Sequence, residues 1–132
     1  MKYLLDTDIC IYVINERPKR VLDRFLKVEP GEIGVSSITA AELAFGVTKS
    51  GSQRNRDALE AFLLPLAMVD FDQTAALAYG EIRSLLEEKG QVIGPLDMLI
   101  AAQAKCLGVT LVTNNQREFR RVPELVVENW AD

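Results

Sequence analysis

Three carboxylates stand where secondary-structure elements should begin or end, in a chain of 132 residues without histidine. Asp6 closes the apolar run Tyr3-Leu4-Leu5, while Glu42 and Asp97 lie near the predicted starts of two helices. Without imidazole, hydrolytic chemistry has to come from carboxylates, hydroxyls, lysine, cysteine or a bound metal. Two ionised carboxylates about 5 Å apart repel by roughly 3 kcal/mol at an effective dielectric near 20. A convergent acid cluster therefore holds a proton or a cation, and oxygen ligands at neutral pH favour Mg²⁺ or Mn²⁺.

Predicted strands and helices alternate along the chain. The strands are expected at 2–6, 32–36, 67–71, 109–113 and 125–127, and the longer helices at 39–49, 54–64, 73–89 and 95–106. Strands separated by helices imply a parallel sheet that is covered on both faces. We therefore predict one α/β domain over residues 1–132, with three layers and a mostly parallel sheet of about four to five strands.

The predicted strand ends suggest where a site would lie. Ligands bind beyond the carboxyl ends of the strands in open parallel sheets. Asp6 follows the first strand and Asn114-Asn115 follows the fourth, while Glu42 and Asp97 fall in first helical turns. The pattern predicts that the three acids converge at this edge.

Each acid also has a structural interpretation. Thr39-x-x-Glu42 matches a capping box, and Asp97 just after Pro95 would complement a helix dipole. Thr7 or Asp8 can cap the helix that follows the first strand. Asp6 is harder to explain in this way, because an acid at the end of a buried strand must be solvated, capped or paired.

Composition limits the remaining possibilities. The net charge of −4 argues mildly against a broad nucleic-acid-binding surface. No apolar stretch is long enough for a membrane span, and the N-terminus does not read as a signal peptide, so a cytoplasmic protein is expected. Cys10 and Cys106 are far apart in apolar surroundings, as in reduced core thiols. Cations gather in two groups, which are either solvated surface or phosphate contacts: Lys49, Arg54 and Arg56, and Arg117, Arg120 and Arg121.

Four segments carry the polar residues in a recurrent order. They are 4–11 (LLDTDICI), 36–46 (SSITAAELAFG), 94–102 (GPLDMLIAA) and 111–119 (LVTNNQREF). Together they resemble the PIN-domain ribonucleases, and more closely the VapC toxins of bacterial VapBC toxin–antitoxin pairs. Each motif alone is weak, but the four in this order and spacing cover essentially the whole chain.

The resemblance implies a Mg²⁺-dependent endoribonuclease with a three-layer PIN fold. Asp6, Glu42 and Asp97 match the three recurrent acids of the family. Asp6 and Asp97 would be the principal ligands of Mg²⁺, with Mn²⁺ as the alternative ion, and Glu42 would bind a metal water or orient the attacking one. Many PIN domains carry a fourth acid where this chain has Asn115, and Glu118 either replaces that acid or is a surface residue.

The resemblance also implies partners and a substrate. Thr7, Ser37, Thr113 and Asn115 would position ligands or waters, and RNA phosphates would contact Lys49, Arg117 or Arg120. The expected substrate is a structured RNA, preferably a tRNA anticodon loop, whose cleavage inhibits translation. A homodimer and a cognate VapB antitoxin are implied, with the antitoxin's C-terminal segment covering the acidic pocket. The helices of residues 39–64 are our candidate surface for one of these contacts.

Two other interpretations stay open at this point. Asp6-Thr7-Asp8 also fits the start of a haloacid-dehalogenase-type phosphatase, although Cys10 departs from that pattern and Lys105 lies in the wrong context for its lysine. The other alternative is a catalytically inactive PIN domain that only binds RNA. Retention of all three acids argues against it, because a dead site would not need a cluster of like charges.

Overall fold

A five-stranded sheet forms the centre of the molecule in the computed structural model, which describes residues 1–132. The strands are β1 (Tyr3–Leu5), β2 (Ile33–Ser36), β3 (Ala67–Val69), β4 (Thr110–Val112) and β5 (Val127–Glu128). Their order is β3-β2-β1-β4-β5, and every neighbouring pair is parallel. The predicted α/β class is confirmed, with β1 at the centre of the sheet.

Seven helices and one short 3₁₀ turn, Pro30–Glu32, connect the strands. The helices are α1 (Thr7–Asn15), α2 (Lys19–Leu26), α3 (Ser37–Ser50), α4 (Gln53–Leu63), α5 (Gln73–Glu88), α6 (Pro95–Leu107) and α7 (Gln116–Phe119). Gly108 ends α6 at a φ of 67°, a left-handed conformation that glycine adopts without a Cβ clash. The sequence pattern gave no signal for α7, because four residues are too few to show a helical period.

Two apolar cores lie on opposite faces of the sheet. Consecutive strand residues point to opposite faces, so Leu4 belongs to one core and Leu5 to the other. The same division separates Leu111 from Val112 on β4. The Leu4 core lies under α5, α6 and α7, and the Leu5 core under α1, α2 and α4. This arrangement confirms the three predicted layers.

The helix starts differ from the predicted caps. The residue that caps α1 is Asp6, whose Oδ1 accepts a hydrogen bond of 2.9 Å from the Ile9 amide, so neither Thr7 nor Asp8 has that role. Helix α3 begins earlier than expected because the Ser36 hydroxyl accepts from the Ile38 amide at 3.1 Å. The capping-box interpretation of Thr39 and Glu42 is therefore wrong, since both lie inside the helix.

The structure also describes the two cysteines and the apolar character of the helices. Cys10 is buried, Cys106 is half-buried, and both are free thiols. None of the helices combines the length and the apolar character that crossing a membrane would require.

The C-terminal segment is fastened to α2 and β1 by one aromatic side chain. Trp130 is 1% exposed, and its ring packs edge-on against Tyr3 at 5.4 Å between centroids. Its Nε1 donates to Glu128 Oε1 at 2.9 Å, and the same oxygen accepts from Arg24 Nη2 at 2.7 Å. The short edge strand β5 is thus held by side chains as well as by its pairing with β4.

Trp130→Ala should therefore destabilise the fold far more than removal of the partly exposed Arg24. We expect the free energy of unfolding to fall by about 3 to 5 kcal/mol for Trp130→Ala, the usual range for a buried aromatic residue. Arg24→Ala should cost only about 1 kcal/mol, because an exposed ion pair contributes little. Urea unfolding of both variants measures the difference, and equal losses would show that the ion pair is the main fastening.

Candidate active site

Asp6 is a buried acid at the carboxyl end of the central strand. It is only 4% exposed, and its backbone amide bonds to the Val112 carbonyl at 3.0 Å across to β4. Its carboxylate accepts from the Ile9 amide at 2.9 Å and is hydrogen-bonded to the Thr113 hydroxyl. These contacts use the N-terminus of α1 and the first residue after β4 to hold the acid in one place.

The surroundings of Asp6 favour its neutral form. Burial is the main cause that raises the pKa of Asp6 to about 7, and the charges of Asp8 and Asp97 raise it further. The hydrogen bonds from Thr113 and Ile9 act in the opposite direction but are outweighed. Near neutral pH this carboxyl group is therefore ready to exchange its proton for a cation.

Glu42 reaches the same region from α3. The Thr7 hydroxyl donates to Glu42 Oε1 at 2.6 Å, which joins the first residue of α1 to the interior of α3. The buried Thr39 hydroxyl lies 3.4 Å from that of Thr7, one turn before Glu42 on the same helix. The bond partner is a neutral hydroxyl, which orients Glu42 without placing a positive charge beside it.

Asp97 joins the cluster from the first turn of α6. Burial raises the pKa of Asp97 to about 6, followed by the negative charges of Glu118, Glu42 and Asp8. Gly94, which caps the helix, lies so close that a Cβ there would come within 3.3 Å of Asp97 Oδ2. The charge of Asp97 therefore acts on Asp6, and that of Glu42 acts on Asp97.

Asn115 connects this cluster to Glu118. Its backbone amide donates to Thr113 Oγ1 at 2.9 Å, and its side-chain Nδ2 donates to Glu118 Oε2 at 3.1 Å. The same Thr113 hydroxyl is bonded to Asp6, so one chain of polar contacts runs between the two acids. Since Glu118 also raises the pKa of Asp97, it belongs to the acidic cluster and is not an isolated surface residue.

The remaining predicted residues lie outside this network. The Ser37 hydroxyl accepts from the Phe71 amide at 3.0 Å and so ties the exit of β3 to α3. Lys49 is exposed in the last turn of α3, while Arg117 and Arg120 are exposed beside Glu118, in and just after α7. None of these four side chains contacts the acids through a hydrogen bond or an ion pair.

Asp8 and Thr39 are two residues whose contribution the sequence pattern missed. Asp8 was interpreted as a helix cap, yet its charge acts on both Asp6 and Asp97. Thr39 was assigned to a capping box, although it lies buried beside Thr7. The spacing Asp6-x-Asp8 was the available signal for Asp8; no local signal marks Thr39, because its partner is 32 residues away.

No cation of the chain neutralises the acidic cluster. The two ion pairs in the molecule are Arg24–Glu128 and Arg83–Glu87, and neither involves the site. The side chains do not form a ready cage, since no three acids or cysteines are arranged to hold a metal ion as they stand. The donor set is nevertheless all oxygen and strongly negative, which fits Mg²⁺, an ion that binds one or two carboxylates and keeps several waters.

A groove begins at this cluster and runs between α1, α3 and α4. It has a volume of about 720 Å³ and starts at Thr7 and Glu42. Its walls combine apolar and polar side chains, with Ile11, Ile14, Val47 and Leu59 among the former and Asn15, Glu16, Arg54 and Asn55 among the latter.

Comparison with known proteins assigns the class to which this fold and site correspond. Residues 3–125 match the model of the PIN domain family. The chain belongs to the PIN-domain family and, within it, to the VapC ribonucleases, as its relatives show. The resemblance seen in the four sequence segments is thereby confirmed.

The relatives match over almost their full length. The chain is 45% identical to ribonuclease VapC2 of Rickettsia felis, covering 98% of both chains, and 40% identical to the tRNA(fMet)-specific endonuclease VapC of Salmonella typhimurium, covering 99% of both. Among solved structures, DNA-bound VapBC from Salmonella typhimurium gives a TM-score of 0.90 at 39% identity over 98% of both chains. Rickettsia felis VapBC2 bound to a promoter DNA fragment gives 0.89 at 42% identity, covering 98% of this chain and 99% of that one.

The electrostatics of Asp6 predict a pH-dependent gain in stability for Asp6→Asn. Because the pKa rises from 3.8 to about 7 on folding, the folded protein binds the proton more tightly, and the free energy of unfolding falls as pH rises through this window. The variant should be more stable than the wild type by about 2 to 4 kcal/mol at pH 8 and gain little at about pH 4.

Urea unfolding at the two pH values, with EDTA present, measures this gain. Asp23→Asn is the matched control, because Asp23 is an exposed acid on α2 outside the site. A gain for Asp6→Asn that is equal at both pH values would contradict the assigned cause.

Proposed function

We propose that this chain is a metal-dependent endoribonuclease toxin that cleaves a structured RNA and is neutralised by a cognate antitoxin. The observation that carries the proposal is the unneutralised acidic cluster, in which the pKa of Asp6 rises to about 7 and that of Asp97 to about 6. Names of relatives at 40% and 45% identity, which include a ribonuclease and an endonuclease, support the activity. Divalent-metal dependence is general in this family, and we propose Mg²⁺ as the ion.

Each acid has a distinct role in this proposal. Asp6 and Asp97 would hold Mg²⁺, directly or through its waters. When bound, the ion neutralises charge on the scissile phosphate and lowers the pKa of a coordinated water. Glu42, held by Thr7, orients the attacking water or a metal-bound one, and Glu118, held by Asn115, is the fourth acid of the cluster.

Thr113 supports this arrangement by holding Asp6 and Asn115 together. Attack by water in line with the leaving oxygen leaves a 5′-phosphate and a 3′-hydroxyl.

The preferred substrate is a tRNA anticodon loop. The Salmonella typhimurium relative is named for tRNA(fMet), and single-stranded loops are where proteins read RNA sequence. Arg117, Arg120 and Lys49 are exposed cations that can contact phosphates, which positions the RNA without reading its bases. Cleavage there removes a tRNA from translation, and we place this activity in the cytoplasm, where tRNA is used.

The proposal predicts that cleavage of bulk tRNA depends on Mg²⁺ and on Asp6. Wild-type protein should give discrete fragments with Mg²⁺ and none with EDTA, and Asp6→Asn should lower the rate at least about 100-fold. Asp23→Asn makes the same charge change outside the site and should cleave normally. End-labelled RNA on a denaturing gel, with 5′-phosphate analysis of the fragments, measures both rate and products.

The outcomes separate the proposal from its two alternatives. Fragments from Asp6→Asn equal to those of the wild type would contradict the assigned site. A phosphatase would instead hydrolyse p-nitrophenyl phosphate through an aspartyl-phosphate on Asp6. An inactive RNA-binding module would shift tRNA in a gel without cleaving it.

The groove beside Glu42 is the proposed docking surface for the antitoxin. The related structures are VapBC complexes, so a VapB-type partner fits the same architecture. An antitoxin arginine at the open end would pair with the acids, because a guanidinium forms two strong hydrogen bonds with a carboxylate. This contact would exclude both the metal and the substrate. Assigning this groove to the antitoxin leaves the other surfaces of the toxin available for a homodimer.

Gly46 offers a test of the docking surface, because it lines the groove and a Cβ there would meet nothing within 4 Å. Gly46→Leu should leave folding intact while filling the groove, and weaken antitoxin binding at least about tenfold. Gly80→Leu on α5 is the matched control, since a Cβ there also meets nothing within 4 Å. Titration of each purified toxin with a VapB-type antitoxin that binds the wild type measures affinity, and equal affinities would contradict the docking surface.

A further inference from the structure

One buried amide side chain connects the helices that carry Glu42 and Asp97. Gln103 lies on α6 and is 1% exposed. Its Oε1 accepts from the Ser36 hydroxyl at 3.0 Å, and its Nε2 donates to the Asp70 carbonyl at 3.3 Å. The contacts therefore join α6 to the end of β2 and to the residue after β3.

The direction of these hydrogen bonds leaves the amide one orientation. The Ser36 hydroxyl accepts from the Ile38 amide as it caps α3, so its own proton is directed to Gln103. The Asp70 carbonyl can only accept, so the amide nitrogen must face it. An apolar side chain of the same size would leave the hydroxyl and the carbonyl without partners in the interior.

The packing around Gln103 explains why a directional contact matters. Its neighbours on α6, Ala101, Ala102 and Ala104, are fully buried but small. Small side chains let a helix approach closely without fixing how far it slides or rotates, and apolar contact is non-directional. Asp97 and Glu42, each less than two turns from the Ser36–Gln103 bond along its own helix, repel each other. A polar bond between the helices opposes that repulsion.

We propose that Gln103 is a positioning residue for the acidic cluster, setting the spacing of Glu42 and Asp97 through its bonds to Ser36 and the Asp70 carbonyl. The inference rests on the proposed function, since it concerns the same metal-binding acids. Gln103 itself touches neither the substrate nor the acids.

The test compares Gln103→Met with a core variant on the opposite face of the sheet. Methionine keeps the volume and removes both hydrogen bonds. Val21→Ala on α2 is the control, because Val21 is fully buried in the opposite core. Circular dichroism gives the Tm of each protein. Both proteins are assayed well below their Tm, so that each is fully folded.

Two measurements report on positioning. Electron paramagnetic resonance with Mn²⁺ alone gives metal affinity, which should weaken about tenfold in Gln103→Met and stay unchanged in Val21→Ala. Cleavage of tRNA should show kcat about tenfold lower with KM unchanged. The substitution displaces the acids that carry out the reaction and not the residues that contact the RNA. Equal Mn²⁺ affinity in the wild type and Gln103→Met would overturn the proposal.

Ser36→Ala provides a second route if Gln103→Met does not fold. It removes the partner hydroxyl while Gln103 stays in place, and it should weaken Mn²⁺ binding in the same direction. In the double variant the losses should add only in part, because both changes remove the Ser36–Gln103 bond while each also removes one further contact. Fully additive losses would overturn the proposal. If the wild type binds Mn²⁺ but cleaves no RNA, the nuclease proposal fails while the Mn²⁺ series still decides the role of Gln103.

Discussion

The free energy of keeping a carboxylate out of water governs the organisation of this molecule. Asp6 ends the central strand at 4% exposure, and its burial is the main cause that raises its pKa to about 7. An unpaired buried charge is costly, so such a group must take up a proton, a hydrogen-bonding environment or a cation. The helix N-terminus of α1 and the hydroxyl of Thr113 supply part of that environment. These hydrogen bonds offset the free energy of burying the charge only in part, since the pKa of Asp6 is still raised. A divalent cation would stabilise the charged form further.

Neutral side chains, and not cations, hold Glu42 and Glu118. Thr7 bonds to Glu42 and Asn115 bonds to Glu118, while both ion pairs of the chain lie elsewhere. A hydroxyl or an amide fixes the direction of a carboxylate but leaves its charge available to a ligand. Lysine or arginine in the same positions would have filled the site permanently. Under the proposed function, the same property would let one negative cluster serve a metal in catalysis and an arginine of an inhibitor in turn.

The sheet topology makes this arrangement possible. Strand β1 lies between β2 and β4, so Asp6, Ser36 and Thr113 lie side by side at the carboxyl ends of these three strands. Helices α1 and α3 start there directly, and the bond between Ser36 and Gln103 ties α6 to the same edge. The groove between α1, α3 and α4 opens from this point. In the proposed function, the RNA and the antitoxin would therefore bind side by side.

The sequence by itself determined the fold class and the order of the longer elements, and it predicted Asp6, Glu42 and Asp97 as the three principal acids. Their signals are local: continuous apolar strands, helical periods, and acids at the element ends. It also identified the family, because four motifs stood in a fixed order. Local signals misled where a residue could satisfy a short pattern and a distant contact equally well, as Thr39 and Glu42 did in the apparent capping box. Only the tertiary structure decided that Ser36 caps α3 and that Glu42 is bonded to Thr7, 35 residues away. It likewise decided that Asn115 brings Glu118 to the cluster and that Gln103 links two helices. Those contacts depend on which strand ends lie side by side, and a single sequence carries no local trace of that proximity.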